Sequence, residues 1–169
     1  MAHHDALFIP FLEKQEKEGS VLARASDLLQ LAPLEYRDSP MAYLVRFRCL
    51  GLLHHAGQVV EHDDFLVGIR FPDDYLFRFD TAQVLTWLEP FDIWHPNIRP
   101  PFVCAGRMQP GTPLVDLIYQ LYEIITYQNV EMREQNALNR DACSWARNNL
   151  LRLPVDRRPL KRRACAQGG

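Results

Sequence analysis

Long apolar runs are missing from this chain. None approaches the roughly 18–20 residues that a membrane-spanning helix needs, so no such helix and no membrane partner are expected. Cysteine is scarce too: Cys49, Cys104, Cys143 and Cys165 are the only four in 169 residues, and no two stand as CxxC. That spacing argues against a zinc knuckle and against a disulfide framework. Neither sign of charge dominates, with 19 Lys and Arg against 21 Asp and Glu. A net charge of −2 gives no general electrostatic ground for binding nucleic acid. The opening residues, Met1-Ala2-His3-His4-Asp5, lack the basic-then-apolar pattern of a secretion signal. Free thiols without that pattern predict a reducing compartment, the cytosol. Repeats and long low-complexity tracts are absent, and neither a cofactor nor a metal is expected.

What is present is ordinary core material. Hydrophobic residues make up 47% and charged residues 24%, enough for one domain over residues 1–153. Ser20 can cap a helix that starts at Val21, puts Val21, Leu22, Ala25, Leu28 and Leu29 on one face, and stops at Pro33. The segment from Phe11 to Glu18 either extends that helix or forms its own. Tyr43, Val45, Phe47 and Cys49 alternate with Leu44, Arg46 and Arg48, a half-buried strand pattern. Phe65 to Phe71 reads as a second strand, Pro72-Asp73-Asp74 as a turn, and Gln83 to Leu88 as a further strand. Short gaps between strands favour an antiparallel four-stranded meander. His54, His55, Glu61, His62, Asp63 and Asp64 fit no standard metal spacing and read as a polar hairpin. Thr112 suits an N-cap and Pro113 a first helical position, ahead of an apolar stripe of Leu114, Leu117, Ile118, Leu121, Ile124 and Ile125. Asn136 can cap a last helix to about Leu150, with Leu138, Ala142, Trp145 and Ala146 turned inward and Pro154 ending it. Residues 154–169 are basic, then small and polar, and read as a disordered tail. The order of helix, meander, irregular loop and helices gives an α+β fold.

Pro90 and the prolines from Pro96 to Pro101 forbid regular structure and predict a long stiff loop. That loop carries Trp94-His95-Pro96-Asn97-Ile98, and Cys104 follows nine positions after His95. A rigid turn that brings an amide side chain near a thiol suits thioester chemistry. The thiol carries an acyl group, and the amide donates to the charge that builds on the carbonyl oxygen. An ordinary thiol suffices when an acyl group moves between two thiols, because the leaving group is equally good. Plainer readings stand beside these. Cys104, next to Phe102 and Val103, also suits a buried core position. Asn97 can instead bond the loop backbone, and His95 can brace the loop instead of acting as a base.

These residues resemble the ubiquitin-conjugating enzyme family over about Val21 to Leu150. Ile93-Trp94-His95-Pro96-Asn97-Ile98 is similar to the family's signature loop, Phe71-Pro72-Asp73-Asp74-Tyr75 to its turn after a strand, and Cys104 to its acceptor cysteine. The resemblance implies a UBC-like fold with an N-terminal helix, the four-stranded meander, an active-site loop and C-terminal helices. It implies a transferase that takes a ubiquitin-like modifier from an activating enzyme as a Cys104 thioester and passes it to a target lysine. It also implies docking of the activating enzyme near Val21 to Gln30, and a mainly bracing role for His95. Where the family has an acidic group before a late helix, this chain has Asn136, with Glu134 as a substitute. The Cys104 spacing is one residue tighter than in eukaryotic members. Leu76 replaces a proline, and residues 105–113 differ from the usual segment. Those departures are closer to bacterial relatives encoded with a ubiquitin-like protein, an activating-enzyme homologue and a JAB-type peptidase, some in antiphage operons.

Two other functions compete. A non-catalytic scaffold of the same fold would bind a ubiquitin-like protein without carrying it. A cysteine hydrolase would need the His95 imidazole within hydrogen-bond reach of the Cys104 sulfur. Arg157, Arg158, Lys161, Arg162 and Arg163 read as a solvated basic run, Cys143 as core, and Cys165 and Gly168-Gly169 as tail residues of no assigned role.

Overall fold

The computed structural model describes residues 2–34 and 41–162. Cys165 and Gly168-Gly169 lie outside them. The fold is α+β. Helix α1 (Ala2–Arg24) leads into strands β1 (Leu29–Leu34), β2 (Ala42–Phe47), β3 (Gly51–His55), β4 (Gln58–His62) and β5 (Phe65–Arg70). One turn of helix, α2 (Thr81–Val84), precedes β6 (Leu85–Glu89). Two-residue strands β7 (Ile98–Arg99) and β8 (Phe102–Val103) follow, then α3 (Leu114–Ile125) and α4 (Arg140–Asn148). Four strands make an antiparallel sheet in the order β1-β2-β5-β6, and β3 and β4 form a hairpin of their own.

The sheet's alternation follows the sequence. Tyr43, Val45 and Phe47 of β2, Phe65, Val67 and Ile69 of β5, and Leu85 and Trp87 of β6 all turn into the core. Helices α1 and α3 cover that face, and the apolar stripe of α3 is buried from Leu114 to Ile125 as its spacing requires. The β3–β4 hairpin turns at Ala56-Gly57, both at positive φ, the geometry of a tight primed turn. His54, His55 and Glu61 lie exposed on it.

The first helix differs from the sequence reading. It runs from Ala2 to Arg24, Leu28 lies in the bend that follows, and Leu29 opens β1 instead of continuing the helix. Ser20 sits inside α1 and caps nothing there, whereas Ser26 Oγ accepts from Leu28 N at 3.1 Å at the helix-to-strand bend. Pairing decides the outcome: Leu29 meets Phe47 and Pro33 meets Tyr43 along β1–β2. Pro33 is tolerated because β1 is an edge strand. Gly19 is no breaker. A Cβ there would lie 2.8 Å from Leu114 and 2.9 Å from Leu31, so glycine lets α1 approach the core closely.

Two caps also fall elsewhere. Pro113 is the N-cap of α3, and Thr112 bonds Gln109 O instead. The Leu114 N–H is taken by Gln15 Oε1 of α1 at 2.7 Å, a cap supplied from 99 residues away by a side chain 1% exposed. Gln15→Ala is expected to lower stability by about 1–3 kcal/mol, the cost of orphaning a buried donor, as read by urea unfolding. A change below a few tenths would deny that role. Asn139, not Asn136, caps α4, accepting from Ala142 N at 3.0 Å.

The tail reading fails for residues 154–162. Leu160 is buried, Val155 N bonds Thr126 O at 2.9 Å, and Arg162 N bonds Ala25 O at 2.9 Å. Asp156 is 3% exposed and accepts from Leu50 N at 2.8 Å and from Arg158. Its carboxyl is held below the usual range, because the bonds from Arg158 and Leu50 outweigh desolvation. The basic composition concealed one apolar and one buried acidic anchor. Among the described residues no helix is long and apolar enough to cross a membrane, and no group of His, Cys, Asp and Glu could hold a metal ion.

Candidate active site

Residues 90–113 are irregular except for the small β7–β8 hairpin, which turns at Pro100-Pro101. Trp87 N on β6 donates to Pro101 O at 2.9 Å and ties the hairpin to the sheet. Ile98 pairs with Val103 and Arg99 with Phe102, and the ladder continues with Cys104 N donating to Asn97 O at 2.8 Å. Successive strand residues face opposite ways. Ile98 and Val103 are therefore buried inward, while Arg99 and Phe102 face out. Cys104 shares the side of Phe102.

Asn97 holds this place together. Its Nδ2 donates to Cys104 O at 3.0 Å, and its Oδ1 accepts from Glu131 N at 2.8 Å. The side chain thus joins the turn, the cysteine backbone and the segment after α3. That segment is pinned again where Leu138 N and Asn139 N both donate to Pro96 O, at 2.9 and 3.1 Å.

His95 lies behind Asn97, with no exposed surface. Its Nδ1 accepts from Asn97 N at 3.0 Å, a pattern that assigns the ring proton to Nε2. The ring packs on Tyr127, centroids 4.3 Å apart, and Nε2 has no hydrogen-bond partner of good geometry. Burial lowers its pKa to about 3, with only the Ile124 backbone opposing. Tyr127 itself sits at φ 62, a left-handed conformation costing about 1–3 kcal/mol for a non-glycine residue, and its hydroxyl donates to Trp94 O.

The neutral imidazole has a consequence for pH. Above about 6.5 the ring is neutral folded and unfolded, so it adds no pH dependence. Below that the unfolded chain takes up a proton that the folded chain refuses until about pH 3, so stability falls across this window. The expected loss is up to about 1.4 kcal/mol per pH unit, measured by urea unfolding at stepped pH. A level stability from pH 7 to pH 4 would contradict the neutral assignment.

The three described cysteines differ in access. Cys49 and Cys143 are buried, whereas Cys104 is partly open. Burial, with Asp156 nearby, pushes the Cys49 thiol up to about 12. Burial also raises Cys143, whose Sγ donates to Glu131 O at 3.3 Å.

Of the four residues singled out from sequence, Cys104, Asn97 and His95 come together. Glu134 does not join them: it is exposed and pairs with Arg147 at 3.5 Å. The nearer acidic residue is Glu131, but its carboxylate turns back to accept from Arg133 N and Asn136 Nδ2, at 2.8 and 3.4 Å. His95 makes no hydrogen bond to the Cys104 sulfur among the described residues, so the two do not form a nucleophile–base pair.

A groove of about 980 Å³ went unread in the sequence. Arg99, Pro100 and Phe102 line one wall and residues 137–141 the other. The signal for it was the short Ile-Arg-Pro-Pro-Phe-Val run, two alternating pairs about a two-residue turn. No protein-family model matches the chain, and no curated protein matches it.

Proposed function

We propose that this chain is a conjugating enzyme that accepts a ubiquitin-like protein from an activating enzyme as a thioester on Cys104. It then passes the modifier to an amine, a lysine of a target protein. The observation that carries the reading is Cys104, a partly exposed residue at the end of a hairpin whose backbone Asn97 holds in place. The element order supports it: an N-terminal helix, a four-stranded antiparallel sheet, a His-Pro-Asn loop and further helices resemble the ubiquitin-conjugating family. The closer likeness, to bacterial relatives in antiphage conjugation pathways, rests on the cysteine spacing, on Leu76 and on residues 105–113.

The chemistry is two acyl transfers. In the first, the Cys104 thiolate attacks the modifier's C-terminal carbonyl in the activating enzyme's thioester. A new C–S bond forms, and the donor sulfur leaves with the electron pair of the bond it loses. In the second, the acceptor amine attacks the same carbonyl, gives up a proton to solvent, and expels the Cys104 thiolate as the amide bond forms. Each passes through a tetrahedral oxyanion. The Asn97 amide carries two N–H groups and gives one to Cys104 O, which leaves the second for that charge. His95, buried and neutral, keeps the loop rigid.

Incubation with the cognate modifier, its activating enzyme and ATP is expected to give an adduct on a non-reducing gel that added thiol removes. No adduct, with an activating enzyme that visibly charges itself, would sink the reading.

A further inference from the structure

We propose that the groove beside Cys104 receives the acceptor segment and favours a lysine with an acidic neighbour. The inference rests on the conjugating reading above and names its substrate class. Phe102 lines the groove and stands two positions from Cys104 on one side of an extended chain, a separation of about 7 Å. Cys104 does not itself line the groove, but a peptide that reaches Phe102 along it comes within about 7 Å of the cysteine. Phe102, 54% exposed, with Pro100 and Leu138, offers an apolar bed for the aliphatic stem of a lysine.

Charge selects among such peptides. Arg99 and Arg140 both line the groove, and neither guanidinium has a hydrogen-bond or ion-pair partner among the described residues. Arg46, Arg147, Arg158 and Arg162 are paired, with Asp64, Glu134, Asp156 and Asp27, whereas Arg99 and Arg140 put two uncommitted guanidinium groups into one groove. Arg140 is also the first residue of α4, where a positive charge opposes the helix's own partial charge. Local helix stability thus gives no reason for it. Asp141 is the one acidic side chain lining the groove, so two free cations face one anion. A carboxylate beside the acceptor lysine complements that balance, and a basic neighbour opposes it.

The test uses three labelled peptides alike except that the lysine is flanked by Glu, Gln or Arg. Single-turnover discharge of the charged chain is expected to run fastest with Glu and slowest with Arg, about fivefold between Glu and Gln at low salt, the scale of two exposed ion pairs. The spread should shrink as salt rises. The variant R99E with R140E is expected to reverse the order, and the ratio of rates makes its overall activity irrelevant. Equal rates across the peptides, or an order untouched by charge reversal, would overturn the proposal. So would a variant that charges slowly yet keeps the peptide order, since the groove would then hold the modifier's own tail. If that variant does not fold, the wild-type order and its salt dependence decide alone. Anisotropy of the same peptides with the uncharged chain answers separately from Cys104 chemistry. Tighter binding of the Glu peptide supports the groove even where charging fails, and equal affinities refute it even where charging succeeds.

Discussion

Cys104→Ser is expected to convert the thiol-labile adduct into one that thiol does not remove, and Cys104→Ala to give no adduct. A serine hydroxyl is a far weaker nucleophile than a thiolate, so the ester forms more slowly. Once formed, it resists exchange with free thiol. The position tolerates the change. The residue is partly exposed, and its structural bonds run through its backbone, from Cys104 N to Asn97 O and from Asn97 Nδ2 to Cys104 O. Cys49→Ala and Cys143→Ala are expected to keep the labile adduct, because burial raises both thiols and hides them from a protein-sized donor. An adduct that survives in Cys104→Ala would move the chemistry to another residue and end the assignment.

Asn97→Ala carries the second large effect, on two quantities that separate. The Asn97 side chain is 7% exposed, and its loss leaves Cys104 O and Glu131 N without partners. At about 1–3 kcal/mol per orphaned buried group, the expected loss of stability is about 2–6 kcal/mol by urea unfolding. Discharge to amines is expected to fall about 100- to 1000-fold at a temperature where the variant stays folded, because the oxyanion has lost its donor. Asn97→Asp is the diagnostic companion. It keeps an acceptor for Glu131 N and removes the donor, so it should discharge as poorly as alanine. If Asn97→Asp discharges at the wild-type rate, Asn97 is a brace and no more.

Periodicity carried most of the sheet and of α3. Tyr43, Val45 and Phe47 alternate over a surface buried on one side, and the α3 stripe repeats at helical spacing. Local pattern failed where distant partners decide. Leu29 fits a helical face as well as a strand, and pairing with Phe47 chose the strand. The cap on α3 comes from Gln15, which no reading of residues 110–116 could supply. The His-Pro-Asn loop was legible because proline restricts its own backbone and that of the residue before it. The Arg99–Arg140 groove was not, since its walls are 41 positions apart and meet through Pro96 O. Glu134 stands in for the family's acidic group only through the resemblance, and its pairing with Arg147 shows how little a position in sequence constrains a side chain's direction.

Residues 155–162 fasten Thr126, Leu50 and Ala25 in one pass, across as many as 137 positions of chain. During synthesis Ala25 and Leu50 are made long before the residues that bond them. Leu50 N and Ala25 O therefore answer to water until residues 155–162 follow.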